Sequence, residues 1–331
     1  MLDFKDILGR EEIKEHLQTA IAQNKVSHAY IIHGEHGAGK RLIASVFAAA
    51  LQCEERGVNP CGTCKSCLQA QTNNHPDIIW VTHEKLSIGV DDIRLQVNND
   101  IGIKPYSGPR KIYIIADADK MTEQAQNALL KTIEEPPEYA VVILLAENVN
   151  HLLQTILSRC VILNLKPVSE DEITAYLVNQ YNIPDYAARL AAQFSQGNVG
   201  KAIRYGTSGD FDKIKEDTLH LLKYIDDMEI HEIVEAIRKL SEYKHKISDC
   251  IDFMQLWYRD ILMYKVTKDP DKLLFKEEFR FISAQAKKRS YEGLENIIKA
   301  MDKARLRLAA NVNSDIAIEL MLLTIKECEN D

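Results

Sequence analysis

The feature that most constrains the fold is a glycine loop between a strand pattern and a helix pattern. The apolar run Ala29–His33 leads directly into residues 34–41, which are Gly-Glu-His-Gly-Ala-Gly-Lys-Arg. A strand, a glycine loop and a helix in this order are typical of a phosphate site, because free N–H groups at the helix start face the anion. The alternative is a tight turn without a ligand. The helix pattern repeats at Leu42, Ile43, Val46, Phe47 and Ala50.

The loop departs from the nucleotide-binding pattern at its last position. The pattern G-x-x-x-x-G-K-[S/T] ends in a hydroxyl that coordinates Mg²⁺, but Arg41 offers no lone pair. A second apolar run, 112–115, ends in Ala116 and Asp117, where a Walker B strand has its metal-holding Asp and then a catalytic acid. We therefore expect a degraded Mg²⁺ site, ATP or ADP binding that is weak or absent, and no ATP hydrolysis. The residues expected to form the degenerate phosphate loop are Gly34, Gly37, Gly39 and Lys40.

Alternating strand and helix patterns predict an α/β fold for the first half of the chain. Short apolar runs at 78–81, 111–115, 140–145 and 160–165 are separated by helical patterns at 91–101 and 122–133. This order predicts a parallel sheet with helices on both faces. Beyond it only helical patterns follow, with the best linker at 206–210. We predict an α/β domain at 1–166, a small helical lid domain at 167–207 and an all-helical collar domain at 208–331.

Four cysteines lie close together within the predicted α/β domain. Their spacing is C-x₇-C-x₂-C-x₂-C, and Pro60 and Gly62 suit tight turns between them. Thiolates at such spacing can close a tetrahedral Zn²⁺ site with no open position, so we predict a structural zinc module at 53–67. The alternative is four unrelated reduced thiols. The predicted ligands are Cys53, Cys61, Cys64 and Cys67, whereas Cys160, Cys250 and Cys328 are expected to be ordinary core or surface thiols.

Composition and charge argue against three classes of protein: bulk electrostatic binders of nucleic acid, secreted proteins and membrane-spanning proteins. The 331 residues have a net charge of −8, which disfavours bulk electrostatic binding of nucleic acid. Acidic residues at the N-terminus disfavour a signal peptide, and no apolar run approaches the roughly 18–20 residues of a membrane span. We therefore expect a cytoplasmic protein with reduced cysteines.

Four motifs together resemble the bacterial sliding-clamp loaders, a family of AAA+ proteins. They are Ser-His-Ala-Tyr at 27–30, the four-cysteine insert, Asn-Ala-Leu-Leu-Lys-Thr-Ile-Glu-Glu-Pro-Pro at 127–137, and Ser-Arg-Cys at 158–160. The resemblance is strong over residues 1–205 and weaker beyond. The family's ATP-hydrolysing gamma/tau subunit has a Walker A hydroxyl, Walker B acids and a sensor 2 Arg, where this chain has Arg41, Ala116 with Asp117, and Gly200. The chain thus resembles the family's stator-like subunit.

The resemblance implies a non-catalytic subunit of the DNA polymerase III holoenzyme that supports ATP-dependent loading of a sliding clamp on primed DNA. Its implied partners are the gamma/tau and delta subunits, the beta clamp and, through the assembly, primed DNA. In this family the Arg of the Ser-Arg-Cys motif enters the ATP site of a neighbouring subunit and stabilises charge on the transferred phosphoryl group. Arg159 is therefore the implied arginine finger in trans, although spacing alone indicates only a surface charge or an ion pair.

Three alternatives remain open at the level of sequence. The first is a gamma/tau-type motor subunit with unusual but working metal ligands. The second is a zinc-dependent nucleic-acid binder on an inert AAA+ scaffold, which the acidic composition disfavours. The third is a recombination or replication-restart AAA+ protein, which the cysteine insert and the long helical C-terminal part fit poorly.

Overall fold

Five parallel strands form the centre of the N-terminal part of the chain. The computed structural model describes residues 2–243, 246–310 and 312–328, and its contacts divide the chain into two compact units, Met1–Gly206 and Thr207–Asp331. The strands are β1 (Ala29–His33), β2 (Ile78–Val81), β3 (Lys111–Ile115), β4 (Ala140–Ala146) and β5 (Val161–Asn164), in the order β2-β3-β4-β1-β5. The predicted strand runs are all present, within a residue at each end.

The register of the sheet places β1 between β4 and β5. Ile31 of β1 pairs with Leu144 on one side and with Ile162 on the other, both in parallel. The helices of this unit are α1 (Glu11–Ala22), α2 (Lys40–Gln52), α3 (Lys65–Gln71), α4 (Val90–Ile93), α5 (Glu123–Glu134), α6 (Gln154–Leu157), α7 (Glu170–Tyr181), α8 (Asp185–Ser195) and α9 (Val199–Thr207).

Both faces of the sheet are buried under helices. Tyr30 and Ile32 of β1 lie in one apolar cluster with Phe47 of α2. The alternate residue of the same strand, Ile31, lies in a second cluster with Leu129 of α5. A strand buried on both faces needs apolar residues at nearly every position, which explains the unbroken runs in the sequence. The predicted α/β fold is confirmed.

Two helix starts in this unit follow capping residues in the sequence. Thr122 accepts a hydrogen bond from the N–H of Ala125 at the start of α5. Ser169 and Glu172 form a reciprocal capping box at the start of α7. The pattern at 91–101 differs from expectation: α4 is one turn long and continues as a π-helix at Arg94–Asn98. The wider turn brings the Asn98 amide against α5, where it donates to the Ala128 carbonyl at 2.9 Å.

The second unit is built from helices, as predicted for the C-terminal part. Within its described residues the regular elements are short 3₁₀ turns and the helices α10 (Phe211–Tyr224), α11 (Ile230–Ser241), α12 (Ile247–Thr267), α13 (Phe279–Lys288), α14 (Tyr291–Ala309) and α15 (Ser314–Glu327). Trp257 of α12 is fully buried and donates its indole N–H to Gln285 of α13 at 2.9 Å. No helix in the described part of the chain is both long and apolar enough to cross a membrane.

A buried ion pair lies inside the helical unit. The Arg289 guanidinium donates from both terminal nitrogens to the two carboxylate oxygens of Asp226, and the side chains are 0% and 5% exposed. The guanidinium also lies 5.5 Å from the ring centroid of Tyr258. Because water cannot solvate either charge in this buried position, each charge is stabilised mainly by its partner.

We expect Asp226→Ala to lower the free energy of unfolding of the protein by about 3–5 kcal/mol, since it leaves a buried charge without its partner. Urea unfolding followed by circular dichroism measures this loss. The double variant Asp226→Leu/Arg289→Met removes both charges and should recover most of the stability. An equal loss in the single and double variants would contradict this account.

Candidate functional site

The glycine loop lies at the carboxyl end of β1, where it turns into α2. Gly37 and Gly39 have φ values of 80° and 93°, in the left-handed region that favours glycine. The ammonium group of Lys40 donates to the Gly34 and Glu35 carbonyls at 2.6 and 2.9 Å. It also lies 3.5 Å from a carboxylate oxygen of Glu147. The loop therefore has the predicted shape, and its lysine is bound by the loop's own carbonyls and a carboxylate.

The two departures from the nucleotide-binding pattern lie on one cavity. Arg41, Ala116 and Asp117 line a space of about 380 Å³ together with Lys40 and Glu147. The Arg41 guanidinium lies over the ring of Trp80, 5.3 Å from its centroid, in a cation–π contact. The Asp117 carboxylate lies 3.3 Å from the ammonium of Lys120. At this cavity a guanidinium and a methyl group occupy the positions where the pattern supplies metal ligands.

Glu147 was not identified from the sequence. It directly follows β4, and its carboxylate lies 3.5 Å from Lys40 and 3.2 Å from the ring of His36. Because the carboxyl ends of parallel strands meet at one edge of a sheet, a polar residue after the run 140–145 was the available signal. A carboxylate here reduces the positive charge that a phosphate would meet.

The segment before α9 closes over the loop. The Asn198 amide donates to the His36 carbonyl at 2.8 Å, and the Gly200 N–H donates to the Gly37 carbonyl at 3.0 Å. A Cβ atom added at Gly200 would lie 2.6 Å from that same carbonyl oxygen, closer than real Cβ contacts. Any larger residue at 200 therefore requires α9 to move away from the loop. Glycine at position 200 thus allows direct backbone contact with the glycine loop.

Arg159 lies just beyond α6, and its guanidinium contacts three neighbouring residues. Its Nη1 donates to the Thr155 carbonyl at 3.0 Å and to the Ser158 hydroxyl at 3.3 Å. Its Nη2 lies 3.0 Å from the Glu134 carboxylate at the end of α5, and the Arg159 side chain is 40% exposed. Arg159 is not among the residues lining the described cavities next to the phosphate loop.

The four predicted zinc ligands converge. All four sulfur atoms lie within 4.8 Å of one another, and the Cys61 and Cys67 sulfurs are 3.9 Å apart. Tetrahedral Zn²⁺ with Zn–S bonds of about 2.3 Å holds its sulfurs about 3.8 Å apart, so these thiols can hold such a metal ion. Backbone N–H groups of Thr63 and Cys64 lower the pKa of the Cys61 thiol to about 6. Burial raises the pKa of Cys53 and Cys67, a cost that a bound Zn²⁺ offsets by holding them as thiolates.

A network of buried hydrogen bonds connects the cysteine module to residues next to the sheet. Ser66, which precedes a cluster cysteine, lies 2.8 Å from Nε2 of His75. The other ring nitrogen of His75 accepts the Asp77 N–H at 3.0 Å. The Asp77 carboxylate accepts backbone N–H groups of Tyr106, Ser107 and Gly108, which hold its pKa low against the effect of burial. Nothing in the sequence pattern signalled this network, because its members are distant along the chain.

Sequence comparisons with known proteins indicate one group. A family model described as "DNA polymerase III, delta subunit" matches residues 9–169. The chain is 30% identical over 314 residues to DNA polymerase III subunit delta′ of Bacillus subtilis, covering 94% of each protein. It is 28% identical over 348 residues to subunit tau of the same organism, covering 97% of this chain and 61% of tau. The chain thus spans nearly all of the delta′ relative but only about three fifths of tau.

Among solved structures, one match is a DNA polymerase III gamma-subunit-related protein from Thermotoga maritima. It matches 96% of this chain and 99% of its own length, with 22% sequence identity and a TM-score of 0.47.

We expect Cys64→Ser to reduce bound zinc, measured by mass spectrometry of the metal, from one equivalent per chain to a small fraction. The melting temperature should fall by several degrees, because the metal would join the end of α2 at Cys53 to the segment 61–67. Cys160→Ser is the matched control: this thiol is also partly buried but lies outside the cluster, so zinc content should not change. Retention of a full equivalent by Cys64→Ser would contradict four-sulfur coordination.

Proposed function

The chain belongs to the DNA polymerase III clamp-loader family of delta-prime, gamma and tau subunits, and we propose that it is the delta-prime, stator-like member. In this role it supports ATP-dependent loading of the sliding clamp by completing the ATPase site of a neighbouring subunit with Arg159. The observation that carries the proposal is the contrast between its own nucleotide cavity, where Arg41 and Ala116 replace metal ligands, and the exposed Arg159.

The phosphate loop supports the absence of turnover by this chain. Hydrolysis of ATP needs Mg²⁺ held by a hydroxyl and an acid, and an Arg or Lys that stabilises the developing charge. Arg41 repels a cation, and Ala116 has no ligand atom. At 200 the glycine contact with Gly37 leaves no room for a sensor 2 arginine. If the loop retains any nucleotide, we expect it to bind weakly and without hydrolysis.

Arg159 supports a role in trans. A guanidinium is permanently charged and presents fixed N–H donors that match phosphate oxygens. In the motor site of a neighbour, it would stabilise the charge that develops on the transferred phosphoryl group.

The remaining partners follow from the same proposal. We assign gamma/tau and delta as neighbouring subunits, the beta clamp as the loaded ring and primed DNA as the final substrate. The net charge of −8 favours contact with DNA through the assembly and to backbone phosphates, without bulk attraction by this chain. The zinc module would be structural, and a replication role places the protein in the cytoplasm.

In a reconstituted loader with motor subunits, we expect Arg159→Ala to abolish ATP hydrolysis at the one motor site that this chain completes. Related arginine fingers contribute about 10³- to 10⁵-fold to kcat, so the loss at that site should be nearly total. The measurement is clamp- and DNA-stimulated phosphate release, with the fingers of the other motor sites removed so that one site is counted.

The matched control is Arg189→Ala, which removes another exposed arginine from an ion pair with Asp185. It should leave the rate unchanged. Arg159→Lys should recover little, because an ammonium lacks the planar fork. Full activity of Arg159→Ala would refute the proposal that Arg159 is an arginine finger acting in trans.

The competing gamma/tau-type function is tested on the isolated chain. We expect no Mg²⁺-dependent ATP turnover above background, because two metal ligands are missing. Lys40→Ala separates an intrinsic rate from a contaminating ATPase. If the wild-type chain turns over ATP and Lys40→Ala abolishes this activity, the chain is a motor subunit and our proposal fails.

A further inference from the structure

The ion pair between Arg159 and Glu134 joins two motifs that lie apart in the sequence. Glu134 is the last residue of α5, and Arg159 follows the short helix α6. Their charged atoms are 3.0 Å apart, and the side chains are 40% and 45% exposed. Such an exposed pair is weak in water, so stabilising the fold is a poor explanation for its geometry.

The position of Glu134 is itself unfavourable for the helix. The C-terminus of a helix carries partial negative charge, so a carboxylate in the last turn is repelled by the free carbonyls. Here two glutamates, Glu134 and Glu135, follow each other at this end. Only Glu134 pairs with a cation among the described residues. The ion pair therefore contains an acid at a helix end where the helix itself does not favour one.

The hydrogen bonds leave part of the guanidinium available. Arginine has five N–H donors. Within the described residues, Nη1 donates to the Thr155 carbonyl and the Ser158 hydroxyl, and Nη2 meets Glu134. The Nε–H and one Nη2–H are then left for a ligand, a pair suited to oxygens of a phosphate. Two hydrogen bonds from Nη1 and the ion pair with Glu134 thus orient the guanidinium, and two donors are left on its Nε and Nη2.

We propose that Glu134 is a positioning residue for Arg159, which holds the guanidinium so that its two remaining donors face a nucleotide phosphate bound by the neighbouring subunit. The inference rests on the proposed function and adds to it a residue outside the Ser-Arg-Cys motif. Glu134 itself does not touch the nucleotide. Its carboxylate limits the rotation of a long side chain that α6 holds from one side only, which lowers the entropy lost when the transition state forms.

The test compares Glu134→Gln with Glu135→Gln in the reconstituted loader. Both variants remove one negative charge from the same helix end, but only the first removes it from Arg159. We expect Glu134→Gln to lower kcat of the served site by about three- to tenfold with little change in KM for ATP, because positioning acts on the transition state. Glu135→Gln should match the wild type, and Glu134→Asp should recover part of the rate.

A double-mutant cycle separates positioning from a structural role. On the residual single-turnover rate of an Arg159→Ala loader, Glu134→Gln should have no further effect, because its target is gone. An equal fold loss in both backgrounds would overturn the inference. So would an unchanged rate in Glu134→Gln while Arg159→Ala remains inactive, and in that case the finger itself survives. An unaffected rate in Arg159→Ala would overturn the finger and the inference together.

Discussion

The structure depends on one constraint, the parallel register that places β1 between β4 and β5. Parallel strands all end at the same edge of the sheet, so whatever follows each strand is brought together there. The phosphate loop follows β1, Ala116 follows β3 and Glu147 follows β4. This edge therefore holds the residues that would bind and hydrolyse a nucleotide in a motor subunit. It is also where this chain departs from such a site, because Arg41 and Ala116 meet at one cavity with Glu147 beside Lys40.

The close approach of Gly200 to Gly37 is a further reason to expect weak phosphate binding at the loop. A backbone hydrogen bond between them holds the helical segment after β5 against the phosphate loop, and it exists only because residue 200 has no side chain. Lys40 is likewise bound by carbonyls of its own loop. A loop whose polar groups are paired with one another gains less from binding a phosphate. By contrast, the Arg159 side chain is 40% exposed and has N–H donors without a partner among the described residues. This asymmetry underlies the proposed division of labour between subunits.

Much of the fold could be predicted because its signals are local. A doubly covered sheet needs unbroken apolar runs, caps such as Thr122 and Ser169 mark the starts of α5 and α7, and the metal cluster has closely spaced cysteines. Signals that depend on distant residues were missed. One example is the π-helix at 94–98, which ends at Asn98, whose amide hydrogen-bonds to the Ala128 carbonyl of α5. Glu147 directly follows a strand pattern and Asn198 lies two residues before Gly200, but what each side chain contacts depends on a strand register and a loop contact formed only on folding.

The sequence by itself determined the α/β class, the phosphate loop with its missing hydroxyl, and the cysteine cluster, because each depends on neighbours along the chain. Tertiary structure alone decided that Arg41, Ala116 and Glu147 share a cavity, that Gly200 touches the loop, and that Glu134 forms an ion pair with Arg159. The physical reason is the range of the interactions. Periodicity and capping act over a few residues, whereas strand register and side-chain ion pairs join positions tens of residues apart, for which the sequence carries no spacing rule.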